Sequence, residues 1–328
     1  MNPRTLRAGF VLCMAMFVAM APGLAASRSY PSQPVMFIVP FAPGGGAEKT
    51  ARLIGARLAQ ALGQPVVVET RPGAGSAIGT AMVAGAKPDG YTLLFQTNAS
   101  DILPHMQGQK LGWDPRSSFE PVSLLATYPL VIATRASLPV RSLPELVEYA
   151  KSHPGKLTYA SSGSGGPTHL GAEMFKKQFG IDLLHVPYKG NAPATMALLA
   201  GDVDMTFDSL VGPLPHIRAG KLTALAVTGT ERAPQLPQVA TVAQSGLARF
   251  SYEAWNGVSV PAGTPKEVIA RLHAEIQRIL AMPEVREALV ELGYRPVSGT
   301  PADFAHLIAE DYRRYGDVMR TLNLRAGE

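Results

Sequence analysis

From Val35 onward, short runs rich in Val, Ile and Leu alternate with longer segments whose apolar residues recur at helical spacing. Short β-branched runs bounded by Gly and Pro read as strands, and their alternation with helices predicts parallel sheets covered by helices. Strands are expected at 35–39, 66–69, 92–96, 130–134, 157–160, 183–186, 205–207 and 224–228, with helices at 47–62, 143–152, 168–179 and 192–201. In the first helix Leu53, Ile54, Leu58, Ala61 and Leu62 share one face, Arg52 and Arg57 lie off it, and Gly63 ends it. In the helix at 168–179, Leu170, Met174 and Phe175 take the inner face, while Lys176 and Lys177 are expected to face water.

The pattern falls into two α/β units. The segment 125–130 leaves the first unit and 250–260 returns to it. Two further helical patterns follow, at 265–292, interrupted near Pro283, and at 301–322, with Thr264 and Thr300 as expected N-caps. With this C-terminal segment packed on the first unit, the chain crosses twice between units, which makes a hinge with a cleft. The expected division is residues 27–128 plus 253–328 for one lobe and 129–252 for the other.

Each unit opens with a glycine-rich loop between a strand and a helix. The first is Pro40-Phe41-Ala42-Pro43-Gly44-Gly45-Gly46-Ala47, and the second is Ser161-Ser162-Gly163-Ser164-Gly165-Gly166-Pro167-Thr168-His169. Loops of this kind bring backbone N–H groups to the positive end of a helix dipole and form an anion site without a charged side chain. Two of them can grip an anion from both sides.

Residues 1–26 stand apart. Arg4 and Arg7 precede an apolar run from Ala8 to Met20, and small residues follow to Ser27, the pattern of a secretory leader cleaved between Ala25 and Ser27. The apolar run is shorter than the about 20 residues that a spanning helix needs. The only cysteine, Cys13, lies inside it, so disulfides, thiol catalysis and thiolate metal sites are excluded from the expected mature chain. A 328-residue chain that is 46% apolar and 17% charged is that of a folded protein with room for two domains. The formal charge of +5 is spread without any basic run longer than two residues, so nucleic-acid binding is not expected, although mild positive charge attracts small anions.

Several familiar motifs fail on inspection. Gly44 to Thr50 resembles a phosphate-binding P-loop, but Glu48 and Pro43 stand where glycines are required. Gly73-Ala74-Gly75-Ser76-Ala77-Ile78-Gly79 resembles a dinucleotide loop with its third glycine one place late, and reads instead as a tight passage into a helix of small residues. Ser164, His169 and Asp208 supply the residue types of a hydrolase triad, but no G-x-S-x-G elbow is present. The histidines are scattered without metal-ligand spacing. Asp202, Asp204 and Asp208 alternate with apolar residues, as on a strand with one polar face. No cofactor or metal is expected.

Taken in order, a set of segments resembles the Bug-type extracytoplasmic solute receptors of tripartite tricarboxylate transport systems. It comprises Pro40 to Gly46, Leu62-Gly63-Gln64-Pro65 with Val66 to Glu69, Arg71-Pro72-Gly73-Ala74-Gly75, Pro88-Asp89-Gly90-Tyr91, Pro154-Gly155-Lys156-Leu157, His185-Val186-Pro187-Tyr188-Lys189-Gly190, Pro215-His216-Ile217 with Ala219-Gly220-Lys221-Leu222, and Pro261-Ala262-Gly263-Thr264-Pro265. The resemblance covers essentially the whole mature chain. It implies a periplasmic two-lobed α/β binding protein of the Venus-flytrap, type II-like form, with a two-crossover hinge, which closes on a small carboxylate. Two loops would act as pincers, through Phe41, Pro43, Gly44, Gly45, Gly46 and Ala47 on one side and Ser162, Gly163, Ser164, Gly165, Gly166, Thr168 and His169 on the other. Asn98 and Asp208, placed at C-terminal strand ends, and Tyr188 join the expected ligand-binding set. Glu48 stands where the family usually has Asp, and would shrink the pocket, meet a ligand ammonium or cap the helix. The resemblance further implies transient partnership with membrane transporter subunits and a monomeric receptor with no catalytic residues. A sensory role through a membrane kinase and a hydrolase using Ser164 and His169 are the alternatives.

Overall fold

The computed structural model describes residues 30–107, 111–247 and 250–322. The leader, with Cys13 and the expected cleavage point, lies outside the described residues.

The first sheet collects β1 (Val35–Val39), β2 (Val66–Thr70), β3 (Thr92–Thr97), β4 (Phe119–Pro129), β10 (Glu253–Pro261) and β11 (Arg295–Pro296), in the order β11-β4-β10-β3-β1-β2. The second collects β5 (Val131–Arg135), β6 (Thr158–Ser161), β7 (Leu184–Pro187), β8 (Met205–Asp208) and β9 (Leu222–Val227), in the order β7-β6-β8-β5-β9. The chain therefore leaves the first sheet after Pro129 and rejoins it at Glu253.

Both sheets are mixed, which corrects the expectation of parallel sheets. β10 runs antiparallel to β3 and β4, and β5 antiparallel to β8 and β9. The cause is the hinge. β3 and β8 end at the cleft, so a strand arriving from the other lobe must start at the cleft and run away from it. β4, an 11-residue strand, was legible in the sequence only at its exit.

Helices cover the faces: α1 (Gly46–Leu62), α2 (Ala77–Ala84), α3 (Ala99–Gln107), α4 (Leu143–Ser152), α5 (Pro167–Phe179), α6 (Asn191–Ala200), α7 (Pro213–Arg218), α8 (Lys266–Ala281), α9 (Pro283–Glu291) and α10 (Pro301–Leu322). α1 buries Ala51, Ile54 and Leu58 against a core that includes Phe37 of β1, Ile54 and Leu58 each contributing roughly 1.5–3 kcal/mol. Its end at Gly63 adopts the left-handed conformation expected there (φ 67°). Thr300 caps α10 reciprocally with Asp303, each backbone N–H donating to the other's side chain at 2.8 and 3.1 Å. Thr264 does not cap α8. Its hydroxyl donates to the Pro261 carbonyl at 2.7 Å, and Pro265 occupies the cap position. Lys176 also departs from its expected exposure, because its ammonium is drawn onto the largely buried Glu173 carboxylate at 2.8 Å.

The hinge is tied at one residue. The buried hydroxyl of Thr228, just after β9, accepts the Leu130 N–H at 2.8 Å and donates to the Tyr252 carbonyl at 2.6 Å. Both crossovers are thus held by one side chain.

Candidate functional site

The two glycine-rich loops face each other across the cleft. In the first, Gly44 turns with φ +86°, and its N–H donates to Glu48 Oε2 at 2.6 Å. The other oxygen of Glu48 accepts Arg52 at 2.8 Å. The Gly44 N–H and then Arg52 hold this carboxyl below its ordinary range. Of the three roles open to Glu48 in the sequence, its geometry is that of a brace for the loop at the start of α1.

The second loop is braced from within. The Ser162 N–H donates to the Thr168 hydroxyl at 2.8 Å, the Gly163 N–H to Ser161 Oγ at 3.2 Å, and the Gly165 N–H to His169 Nδ1 at 3.2 Å. The His169 ring stacks on His185 with 4.1 Å between centroids, and His185 Nε2 pairs with Ser161 Oγ at 2.6 Å. Burial lowers His169 to about 4 and His185 to about 3, so both rings are neutral near pH 7. A neutral His169 is what the Gly165 N–H requires, since a protonated ring has no acceptor.

The loops close over a small cavity of about 10 Å³. Phe41 and Ala47 line it from the first lobe, and Ser162, Pro167 and Thr168 from the second. The first N–H groups of a helix have no carbonyl partner within it, and here the starts of both α1 and α5 form part of the wall. Every lining residue is uncharged. Thr97, Tyr128, Asn191, Ser209, Asn256 and Tyr294 complete the wall, and sequence reasoning missed all six. Asn191, the first residue of α6 next to Gly190, and Asn256, a lone polar residue before Gly257 in an apolar strand, carried signals that could have been used. A larger groove of about 240 Å³ lies on another face, around Pro129, Glu231, Pro234 and Arg295, with neither glycine-rich loop in its wall.

The structure distributes the remaining expected residues differently. Pro43 and Gly44 sit on the exposed outer turn of the first loop, and Gly45 caps α1. Gly46 packs so closely on the other wall that a Cβ there would come within 2.1 Å of the Tyr294 hydroxyl and 2.9 Å of Val211. Gly163 and Gly165 supply positive φ angles of 135° and 77°, and Gly166 closes the turn by donating to the Gly163 carbonyl at 3.0 Å. Ser164 directs its carbonyl at Gly75, where a Cβ would approach it to 2.1 Å. His169 stands behind the loop. Tyr188 lines a second small pocket, of about 30 Å³, beside Phe41, Gly75 and Ser162.

Asn98 is not among the residues that line the cavity, whereas Thr97, the last residue of β3, is. The Asn98 amide instead donates to the Tyr252 and Tyr315 hydroxyls, both at 3.0 Å. Asp202 and Asp204 precede β8, and Asp204 is a clamp between Arg135 and the Thr158 N–H, both at 2.9 Å. Asp208 ends β8 fully buried behind the wall, bonded to Asn191 and, at 3.0 Å, to Thr195. Burial pushes it up to about 7.

Two α/β lobes joined by two crossovers, with a cleft lined by helix N-termini, define a periplasmic binding protein. Residues 50–324 match the tripartite tricarboxylate transporter family receptor, and the chain belongs to that family. BugT of Bordetella pertussis is 36% identical over 308 residues, covering 93% of this chain and 94% of that protein. MatC from Rhodopseudomonas palustris, solved with bound malate, is 34% identical with a TM-score of 0.84, covering 88% of this chain and 99% of that one. An R. palustris protein solved with adipate is 33% identical with a TM-score of 0.87, covering 90% and 99%.

Proposed function

We propose that this protein is a non-catalytic receptor that captures a small carboxylate by closure of its lobes and delivers it to the membrane subunits of a tripartite tricarboxylate-type transporter. The observation that carries the reading is one cavity with an uncharged wall to which each lobe contributes the N-terminus of a helix. Such a wall binds carboxylate oxygens through N–H groups and hydroxyls, and needs no buried cation whose own desolvation would have to be offset. The malate and adipate held by its relatives support the ligand class.

His169 as a brace supports the non-catalytic reading, because its Nδ1 is occupied by the Gly165 N–H and its ring is stacked. The receptor works in the periplasm, to which cleavage of residues 1–26 would release it. N-terminal sequencing of the exported protein, starting at Ala26 or Ser27, checks that step.

Uptake of labelled malate and adipate in a strain lacking the receptor gene tests the transport role. Uptake is expected to return with the intact gene. Binding in vitro together with unchanged uptake in the deleted strain would contradict delivery and favour a sensory role.

A further inference from the structure

One buried donor on the cavity wall closes no hydrogen bond. Asn256 is 1% exposed and lines the cavity, yet among the described residues its Nδ2 meets no acceptor in hydrogen-bonding geometry, the Tyr294 hydroxyl lying beside it without closing a bond. Buried polar groups are paired in the great majority of cases, so each exception calls for a cause.

The surrounding structure fixes this side chain toward the cleft. Asn256 lies on β10, paired with Thr97 of β3 and Ala126 of β4, and the β4 register shifts between Asn256 and Gly257. The extra residue is Leu125 on β4, so β10 keeps its alternation here, and bulges recur beside functional sites. The neighbours of Asn256 hold β10 from the other face. Trp255 packs edge-on against Phe304 of α10 and donates Nε1–H to Asp311 at 2.8 Å. A Cβ on Gly257 would come within 2.2 Å of the Phe304 ring, so the ring fills the space a side chain would need. With Trp255 and Gly257 locked against α10, strand alternation puts Asn256 on the cleft side.

We propose that Asn256 is a specificity-determining residue of the cleft, which donates a hydrogen bond to a second acceptor group on the ligand, beyond the carboxylate held at the helix N-termini. The inference rests on the receptor reading given above. With the lobes apart, solvent satisfies the amide. Closure buries it, and the donor is left unpaired unless the ligand brings an acceptor to it. A buried donor left unpaired keeps the full cost of its lost hydration. A ligand that satisfies it therefore favours the closed state, and one that lacks the acceptor closes the lobes less completely. Acids with a carboxylate or carbonyl at the far end are selected over simple monocarboxylates of equal length.

Titration calorimetry with two matched pairs, adipate against hexanoate and succinate against butyrate, tests the inference. The wild-type protein is expected to prefer a diacid over its matched monoacid. Asn256→Leu should weaken binding of the diacid about 10- to 100-fold, the worth of a hydrogen bond to a charged group, while changing the monoacid by less than about threefold. Asn256→Asp keeps the shape and replaces the donor by an anion, and should lose the diacid at least as severely. Ligand-free melting temperatures and circular dichroism of both variants establish that they fold. Equal losses for diacid and monoacid, or no loss for either, overturn the role of Asn256 and leave the receptor reading intact. Failure of the wild-type protein to bind any of the four acids overturns the selection of diacids by Asn256 and leaves the receptor reading to be decided by the wider panel of acids.

Discussion

The backbone N–H of Ala42 donates to the carbonyl of Lys189 at 2.9 Å, a bond that runs from one lobe to the other at the mouth of the cleft. Gly190 follows Lys189 with φ +142°, and a Cβ there would come within 3.2 Å of the Ala42 nitrogen. The Pro187-Tyr188-Lys189-Gly190 turn is therefore a backbone latch, available only when the lobes are shut. Beside it, Gly75 of the first lobe abuts the Ser164 carbonyl of the second.

Gly75 gives a direct way to hold the lobes apart. Gly75→Ala places a methyl group 2.1 Å from the Ser164 oxygen and puts alanine at φ +67°, which costs roughly 1–2 kcal/mol by itself. The steric conflict lies between lobes, so each lobe keeps its fold while closure is opposed. We expect ligand affinity to fall about tenfold or more and the radius of gyration with ligand to stay near that of the open form in small-angle scattering.

Asp208 makes binding depend on pH near neutrality. The titratable groups facing it are Tyr128 and Tyr294, both raised by burial and therefore uncharged. A carboxyl that titrates near pH 7 when folded, against about 4 when unfolded, binds more protons in the native state between those values. Stability from this group is thus highest at low pH and declines as pH rises from about 4 to about 7. An anionic ligand next to the wall adds repulsion once Asp208 ionises, so affinity should weaken as pH passes 7. Asp208→Asn is expected to flatten both profiles, measured by denaturant unfolding and by calorimetric titration.

Glu48 has the opposite sign. Its carboxyl is held low by the Gly44 N–H, so its contribution is complete above the ordinary glutamate range and is lost as pH falls through the lowered value. Glu48→Ala should cost about 1–2 kcal/mol through loss of the hydrogen bond that the Gly44 N–H donates to its carboxylate. It should weaken ligand binding by loosening the loop without altering which acids are bound. A change in acid preference would place the carboxylate in the recognition of the ligand instead.

What the sequence revealed follows from how local each feature is. Both glycine-rich loops were legible because their glycines stand between a strand pattern and an amphipathic helix, and those are signals within some ten residues. The direction of β5 and β10 was not legible, because it depends on where the chain re-enters a sheet. The wall residues Thr97, Asn191, Asn256 and Tyr294 come from separate elements, brought together only by the mixed sheets and the hinge. Asn98 was expected in the ligand-binding set, but it is Thr97 beside it that lines the cavity, while the Asn98 amide donates to Tyr252 and Tyr315, partners more than 150 residues away in the chain that no local pattern announces.

Thermal unfolding of the ligand-stripped protein against a panel of di- and tricarboxylates, amino acids and aromatic acids tests the central claim most directly. A bound acid at 100 times its dissociation constant should raise stability by about 2.7 kcal/mol, with the acid recovered unchanged afterwards. A panel in which no carboxylate shifts the transition, or in which an acid derivative is turned over, would contradict a receptor that closes on a carboxylate.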